Sequence, residues 1–381
     1  MYVHQEKDKC CGCTACMAVC PKKAIHMKAD LEGFLYPEID ESVCIGCNLC
    51  RAVCDFTEIH DWQHYAEPIA YAAKQKSLEE RAASQSGGMF SVLSDHFLKL
   101  DGCIYGAGYD AEWNVVHQRA TNLKERDILR GSKYVQSNMK NNFDKVIDDL
   151  QRHRYVLFSG THCQCAGLKR LLELKKINTD KLLLVDLICH GVPSPAIYQI
   201  FKGFMLKKHP GTITKFVFRN KNKFGWRSTI ESTVIDGKEY DTALYRDLFY
   251  GENALRPSCY ECPYKRVIHN TDITIGDCWG IENWAPEFDD GKGISLALIN
   301  TEKGQKYFYN IMASIDYKKT NIKNCLQPCL EHPVPRPKTR EQFWQDLNTK
   351  SFEYILTHYT SNYGWKSSVK NYLRKIYHAL R

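Results

Sequence analysis

The chain has 381 residues, 44% of them hydrophobic, which is enough for two or three domains with real cores. Its formal net charge is +8, and with no zinc finger, helix-turn-helix or aromatic RNA platform this modest excess does not indicate nucleic acid. No apolar stretch approaches the roughly 18 residues that span a bilayer. The 18 cysteines would mean a disulfide scaffold in a short secreted chain, but this chain is long and MYVHQEKDKC shows no signal peptide, so a reducing, cytoplasmic setting is expected.

Two cysteine runs open the sequence. Cys10, Cys13, Cys16 and Cys20 form the first, and Cys44, Cys47, Cys50 and Cys54 form the second; each reads C-x2-C-x2-C-x3-C, and Pro21 closes the first. The spacing is that of a two-cluster bacterial ferredoxin, in which three cysteines wrap one iron–sulfur cube and the fourth crosses to the other. It groups Cys10, Cys13, Cys16 and Cys54 around one 4Fe–4S cluster and Cys44, Cys47, Cys50 and Cys20 around a second, leaving Cys11 over. Zinc ribbons, the alternative, use one or two C-x2-C pairs rather than two full quartets. Gly12, Gly46 and Pro21 suit tight loops that bring backbone amides near sulfur. Short strands are expected at 24–27 and 33–37, with a linker following from about 63. Two such clusters, at about −2 each, bring the net charge to about +4.

Further along, strand-like segments at Ile69–Ala73, Cys103–Tyr105, Tyr155–Phe158 and Leu182–Ile188 alternate with helical patterns at Met89–Leu100, Phe143–Gln151, Cys163–Leu174 and Pro195–Lys207. This alternation predicts an α/β domain with a largely parallel sheet. Ile213–Phe218 and Ser228–Ile235 read as hairpin strands with Asp236-Gly237 as the turn. A helix at Asp241–Tyr250 and strands at Asp272–Gly276 and Ser295–Ile299 follow. The tail Lys366–Arg381 is basic and amphipathic, with Val369, Tyr372, Leu373, Ile376, Tyr377 and Leu380 on one helical stripe. Such a helix can pack on its own domain or meet a membrane surface or an acidic partner.

Several constellations in this region could carry chemistry. Ser84-Gln85-Ser86-Gly87-Gly88 opens a helix, where amides and the helix dipole favour an anion or a simple N-cap; it is not a G-x-G-x-x-G fingerprint. Ser159-Gly160-Thr161-His162-Cys163 lies between strand and helix, at the edge where open α/β sheets bind ligands. It places Cys163 near a helix N-terminus, which lowers a thiol pKa. Cys189-His190-Gly191 ends the next strand, and Cys259-x2-Cys262 adds a pair. Cys163, Cys189, Cys259 and Cys262 could build a third cluster or a zinc site, or stand as scattered buried thiols. Cys163 with His162 or His190 could instead form a nucleophile pair. Cys103, Cys165, Cys278, Cys325 and Cys329 read as small core residues, with Cys278 a reserve ligand. Asp277, at a strand end, is a candidate binding or acid/base group.

The stretches SQSGGMFSVL, GSKYVQS, FSGTHCQCAGLK, DLICHGVPSP, FRNKNKFGWR, RPSCYECPY and DITIGDCWGI run in this order behind the cysteine runs. In them the chain resembles the family of coenzyme F420 hydrogenase/dehydrogenase beta subunits. It departs at Thr161-His162-Cys163, where the family commonly has Thr-Pro-Cys, and at Cys278, where an aromatic commonly stands. The resemblance implies an FAD-binding α/β core beside an iron–sulfur cluster. Ser86, Gly87, Gly88, Ser132, Lys133, Gly160 and Thr161 then stand on the flavin side, and Cys163, Cys189, Cys259 and Cys262 become the third-cluster set. The expected fold is α+β and multidomain. Residues 1–62 form a ferredoxin-like module with two 4Fe–4S clusters. Residues 67–155 and 156–335 are two parts of an α/β flavin-binding domain with additional β-hairpins, and 336–381 form a helical, basic tail. The expected function is an iron–sulfur, flavin-dependent oxidoreductase. It takes electrons from ferredoxin or another redox protein and passes them through the clusters to FAD and a small organic substrate. Relatives built like this chain are associated with polysaccharide synthesis. The alternatives are an electron-transfer subunit of a larger complex and a flavin-linked disulfide reductase using Cys163 or Cys189.

Overall fold

The computed structural model describes residues 3, 6–57 and 66–363, so the basic tail expected at 366–381 lies outside the described residues. In the N-terminal module β1 (Ile25–Ala29) and β2 (Leu35–Ile39) pair antiparallel between the two cysteine runs. Each run bends through matching left-handed residues: Gly12 (φ +71°) and Thr14 (φ +72°) in the first, Gly46 (φ +69°) and Asn48 (φ +59°) in the second. The repeat in sequence is therefore a repeat in backbone. Glycine at the first of each pair takes this conformation without a Cβ clash.

The chain continues through β3 (Ile69–Gln75), β4 (Cys103–Tyr109), β5 (Val115–Ala120), β6 (Val156–Thr161), β7 (Leu182–Leu187), β8 (Ile213–Val217), β9 (Glu231–Ile235), β10 (Lys238–Thr242), β11 (Ile273–Asp277), β12 (Ser295–Ile299) and β13 (Ile315–Thr320). Eight of these make one sheet in the order β13-β3-β12-β11-β7-β6-β4-β5. β4, β6, β7 and β11 are parallel neighbours, and the runs of Val, Leu and Phe in β6 and β7 are those of strands buried on both faces. The flanking strands are antiparallel, so the largely parallel sheet is parallel only at its centre. Helices Met89–Lys99 and Glu302–Ile311 cover one face. Helices Asn142–Gln151 and His162–Leu174 cover the other, where Ala15, Val19 and Val53 of the cysteine module join the same apolar cluster.

β8, β9 and β10 form a separate three-stranded sheet. Asp236-Gly237 turns β9 into β10, a strand that the sequence pattern assigns in part to a helix. The reason is local. Lys238–Thr242 has no apolar face and is held instead by side chains, with Ser232 Oγ donating to Asp241 Oδ1 at 2.5 Å and Thr242 Oγ1 donating to Glu231. The helix accordingly starts later, at Leu244. Helices Arg340–Thr349 and Phe352–Tyr359 close this part against helix Pro195–Lys208. Arg340 also clamps the cysteine module, donating from Nη1 to Glu32 Oε1 at 2.8 Å.

The loop before helix Met89–Lys99 is sewn into the ends of β3 and β12. The Gly87 amide donates to Ser295 Oγ at 2.9 Å, and the Gln75 amide donates to the Gly87 carbonyl at 2.8 Å. A Cβ on Gly87 would lie 2.2 Å from the Ala73 carbonyl oxygen and 2.6 Å from the Ser295 nitrogen, both backbone. Gly87→Ala is expected to cost about 1–3 kcal/mol, as overpacking of a tight core does. A thermal midpoint equal to that of the parent would contradict this packing.

Candidate functional site

Parallel strands β6, β7 and β11 end at one edge of the sheet, and the chemistry-bearing residues gather there. Thr161 ends β6 and caps the next helix, its amide donating to Gln164 Oε1 at 3.0 Å. Cys163 sits in the first turn, Cys189 just past β7, and Cys259 and Cys262 in the short helical loop Pro257–Glu261 and after it. All four line one cavity, together with Cys11, Cys329, His162, His269, Arg256 and Lys265. A second cavity is lined by Cys10, Cys13, Cys16 and Cys54, again with Cys11. The four cysteines that spacing groups around one cube thus meet, and Cys11, left over in the sequence, is the buried residue common to both cavities. Cys44 and Cys47 are exposed, and burial raises the thiol of half-buried Cys50. Cys20, following the first short helix, accepts from the Ala24 amide at 3.3 Å.

The cysteine sets offer all-sulfur ligation, as the 4Fe–4S cubes of ferredoxins use. Burial pushes the Cys189 thiol up to about 12 and raises Cys259 and Cys262 as well. Cys163 goes the other way: hydrogen bonds from Cys11 and then Thr161 hold it at about 7 against burial. Binding a metal cluster at such a site releases the thiol protons. Cys278, the reserve ligand, is packed in an apolar cluster with Cys325, Ile281 and Leu296 and lines neither cavity.

Beneath the cavity Asp186, fully buried in β7, stands between two histidines. Its Oδ2 lies 2.7 Å from His269 Nδ1 and 3.2 Å from His162 Nδ1. Burial opposes the charge, yet the two histidines hold the carboxyl below its usual range. His162 stacks on Tyr264 at 4.4 Å and meets Asn270 Oδ1 through Nε2 at 2.8 Å.

The flavin-side candidates reach the same edge. Ser86 donates to the Ile294 carbonyl at 2.7 Å, and Gln85 Nε2 donates to the Arg219 carbonyl at 2.6 Å. Gly88 (φ +86°) caps the helix. The amides of Gly87 and Gly88 are already used, by Ser295 Oγ and the Gln85 carbonyl, so the anion role read for this loop does not fall to them. Lys133, next to Ser132, donates to the carbonyls of Arg130 at 2.6 Å and Ile128 at 3.1 Å, and burial pulls its pKa down to about 7. Its charge also acts on His117, which bonds the Ser159 carbonyl one residue before Gly160. Asp277 receives Arg219 Nη1 at 2.5 Å, while its other oxygen, Oδ1, is buried without a hydrogen-bond partner. Arg219 also donates to Tyr134 at 3.4 Å and lies 5.6 Å from the ring of half-exposed Trp279, which stacks on Trp226 at 5.2 Å. Arg219, Arg256 and the Trp pair do not stand out in the sequence. Their signal is burial and partnership, which spacing does not carry.

Two family models match the chain. Residues 9–57 match the 4Fe-4S dicluster domain, and residues 153–324 match the family described as the C terminus of the coenzyme F420 hydrogenase/dehydrogenase beta subunit. A subunit of the F420H2 dehydrogenase of Methanosarcina mazei is 26% identical over 327 residues, covering 80% of this chain and 82% of the relative. A chain of the F420-reducing NiFe hydrogenase complex of Methanosarcina barkeri aligns with a TM-score of 0.47 and 18% identity, over 67% of this chain and 82% of that one. Among the described residues no helix is long and apolar enough to cross a membrane. Residues 153–324 thus belong to the family described as the C terminus of the coenzyme F420 hydrogenase/dehydrogenase beta subunit, and residues 9–57 form a 4Fe-4S dicluster domain.

Proposed function

We propose that the chain is an iron–sulfur flavoprotein oxidoreductase that accepts electrons from ferredoxin or another redox protein and delivers them to a small organic substrate, in a pathway of polysaccharide synthesis. The observation that carries this reading is the convergence of Cys163, Cys189, Cys259 and Cys262, from three separate segments, on a cavity that shares Cys11 with the cavity of Cys10, Cys13, Cys16 and Cys54. When bound, the clusters supply single-electron transfer and FAD joins two electrons into a hydride equivalent. The residues supply the rest. Exposed Cys44 and Cys47, flanked by exposed Val43, Ile45 and Leu49, offer a redox partner close approach. Lys133 suits a phosphate, because its ammonium donates to carbonyl oxygens rather than a carboxylate among the described residues and burial leaves it short of negative charge. Asp277 Oδ1 offers a buried acceptor, and Trp279 beside Arg219 offers a flat, cation-backed surface for a planar ring.

The same residues also fit an electron-transfer subunit of a larger assembly, a reading favoured by the relative named as a dehydrogenase subunit. Anaerobic purification, iron assay and mass identification of the bound organic cofactor test the proposal. About eight to twelve iron atoms per chain with FAD are expected, since each cubane holds four. A flavin-free chain after reconstitution would overturn the flavoprotein reading. Turnover by the isolated chain with an artificial donor separates an oxidoreductase from a carrier.

A further inference from the structure

Among the described residues five arginines are buried: Arg81, Arg126, Arg219, Arg256 and Arg340. Four of them meet a carboxylate: Arg81 with Asp290, Arg126 with Asp95 and Asp127, Arg219 with Asp277, and Arg340 with Glu32. Arg256, at 0% exposure, is the exception. Its Nε donates to the Cys10 carbonyl at 2.7 Å, Nη1 to Gln136 Oε1 at 2.8 Å, and Nη2 to the Leu35 carbonyl at 3.0 Å and the Cys10 sulfur at 3.6 Å. Its guanidinium carbon lies 4.2 Å from the Tyr36 ring centre. No carboxylate pairs with it among the described residues. A fully buried cation without a counter-anion is strongly unfavourable, so the anion must come from somewhere else.

The position of Arg256 says where. Its side chain touches the Cys10 sulfur of the first cavity and lines the third-site cavity. Its own backbone anchors the loop of the third site, the Cys259 amide donating to the Arg256 carbonyl at 2.9 Å. Gln136 ties the two sides together by also donating to the Cys11 carbonyl at 2.9 Å. A Cβ on Gly12 would come within 2.8 Å of Arg256 Nη1, so the first cysteine loop is shaped around this head group.

Resting on the reading that these cysteines hold clusters, we propose that Arg256 is the shared counter-cation of the first and third cluster sites and raises the reduction potentials of both. An all-thiolate cluster is anionic and becomes more so on reduction. Burial therefore lowers its potential, and a positive charge or N–H donor at its sulfur raises it. The outer site, with exposed Cys44 and Cys47, has no such buried cation against it among the described residues. The third site keeps a second cation, buried Lys265, whose ammonium donates to the Cys189 carbonyl. The first site has Arg256 alone among the described residues, and the dependence should be strongest there.

The experiment is a redox titration of the anaerobic, cluster-loaded full chain followed by electron paramagnetic resonance. Signals are assigned by their loss in Cys44→Ser for the outer site and Cys189→Ser for the third. Arg256→Met is expected to lower the first-site midpoint most, the third-site midpoint less, and the outer one not at all. Arg256→Lys, which keeps the charge, should restore most of the shift. Potentials unmoved in a fully iron-loaded Met variant would overturn the inference, as would a Lys variant that falls as far as Met. If the Met variant loses iron, Arg256→Gln, with two N–H donors left for the Cys10 carbonyl, takes its place. A lowered first-site midpoint supports the proposal and an unmoved one overturns it. Iron below about eight atoms in the parent would instead sink the cluster reading itself.

Discussion

Cys189→Ser lowers the iron content of the anaerobically reconstituted chain from about twelve atoms to about eight, one cubane's worth, and leaves the signals of the N-terminal sites in place. Serine keeps the size of cysteine but not a thiolate, and Cys189 has no substitute on its side of the cavity that comes from β7. Three controls make the result specific. Cys278→Ser should leave the iron unchanged, because Cys278 lies in the apolar cluster around Ile281 and Leu296, away from both cavities. Cys329→Ser decides whether this further cysteine of the cavity, 3.8 Å from His190 Nδ1, is a ligand or a bystander; unchanged iron is expected. Cys11→Ser should also keep all the iron, since each cavity has at least four other cysteines. Twelve atoms retained by Cys189→Ser would remove the third site from the proposed path. Loss of substrate reduction with a silent third site, while the N-terminal sites still accept electrons, would place the break where this reading puts it.

Much of this was legible from the sequence because it is local. The cysteine runs specify their loops, and the repeated left-handed Gly12 and Gly46 follow from spacing that repeats. The apolar runs of β6 and β7 announce buried strands, and the alternation with helices gives the parallel centre of the sheet. What was hidden is long-range or compensated. β3 precedes β4 in the chain but lies on the far side of the sheet, between β12 and β13, because the helices at 78–99 cross a face before β4 begins. β10 hides because its pairing is held by polar side chains rather than an apolar face. Arg256 is one arginine in RPSCYECPY until burial and the absence of a carboxylate single it out. His162 stands where the family commonly has proline, at the first helical residue, a position that proline suits. Histidine gives up that fixed backbone and gains a ring that reaches Asp186 and Asn270, so the departure changes the support of the site more than the turn.

That support carries the second large effect. Asp186→Ala is expected to destabilise the chain by about 3–5 kcal/mol, the cost of removing one partner of a buried ion pair. Asp186 is 0% exposed, and its Oδ2 reaches the Nδ1 atoms of both His162 and His269. Losing it leaves two imidazoles facing each other below the cavity, at the start of the helix that holds Cys163. Asp186→Asn separates charge from shape, since it keeps an acceptor but not the ionised form. The pH dependence has a definite sign. The carboxyl is held below its ordinary range in the folded chain, so its contribution is fully present above about pH 4, the usual aspartate pKa, and fades as pH falls through the lower folded value. The stability gap between the parent and Asp186→Asn should therefore close in acid. Denaturant unfolding of the cluster-free chain across that range measures it. A gap below about 0.5 kcal/mol at pH 7, the size of an ordinary surface substitution, would mean that the triad holds no buried charge, and the rigidity it lends to Cys163 would have to come from the Tyr264 stack and the Asn270 hydrogen bond of His162.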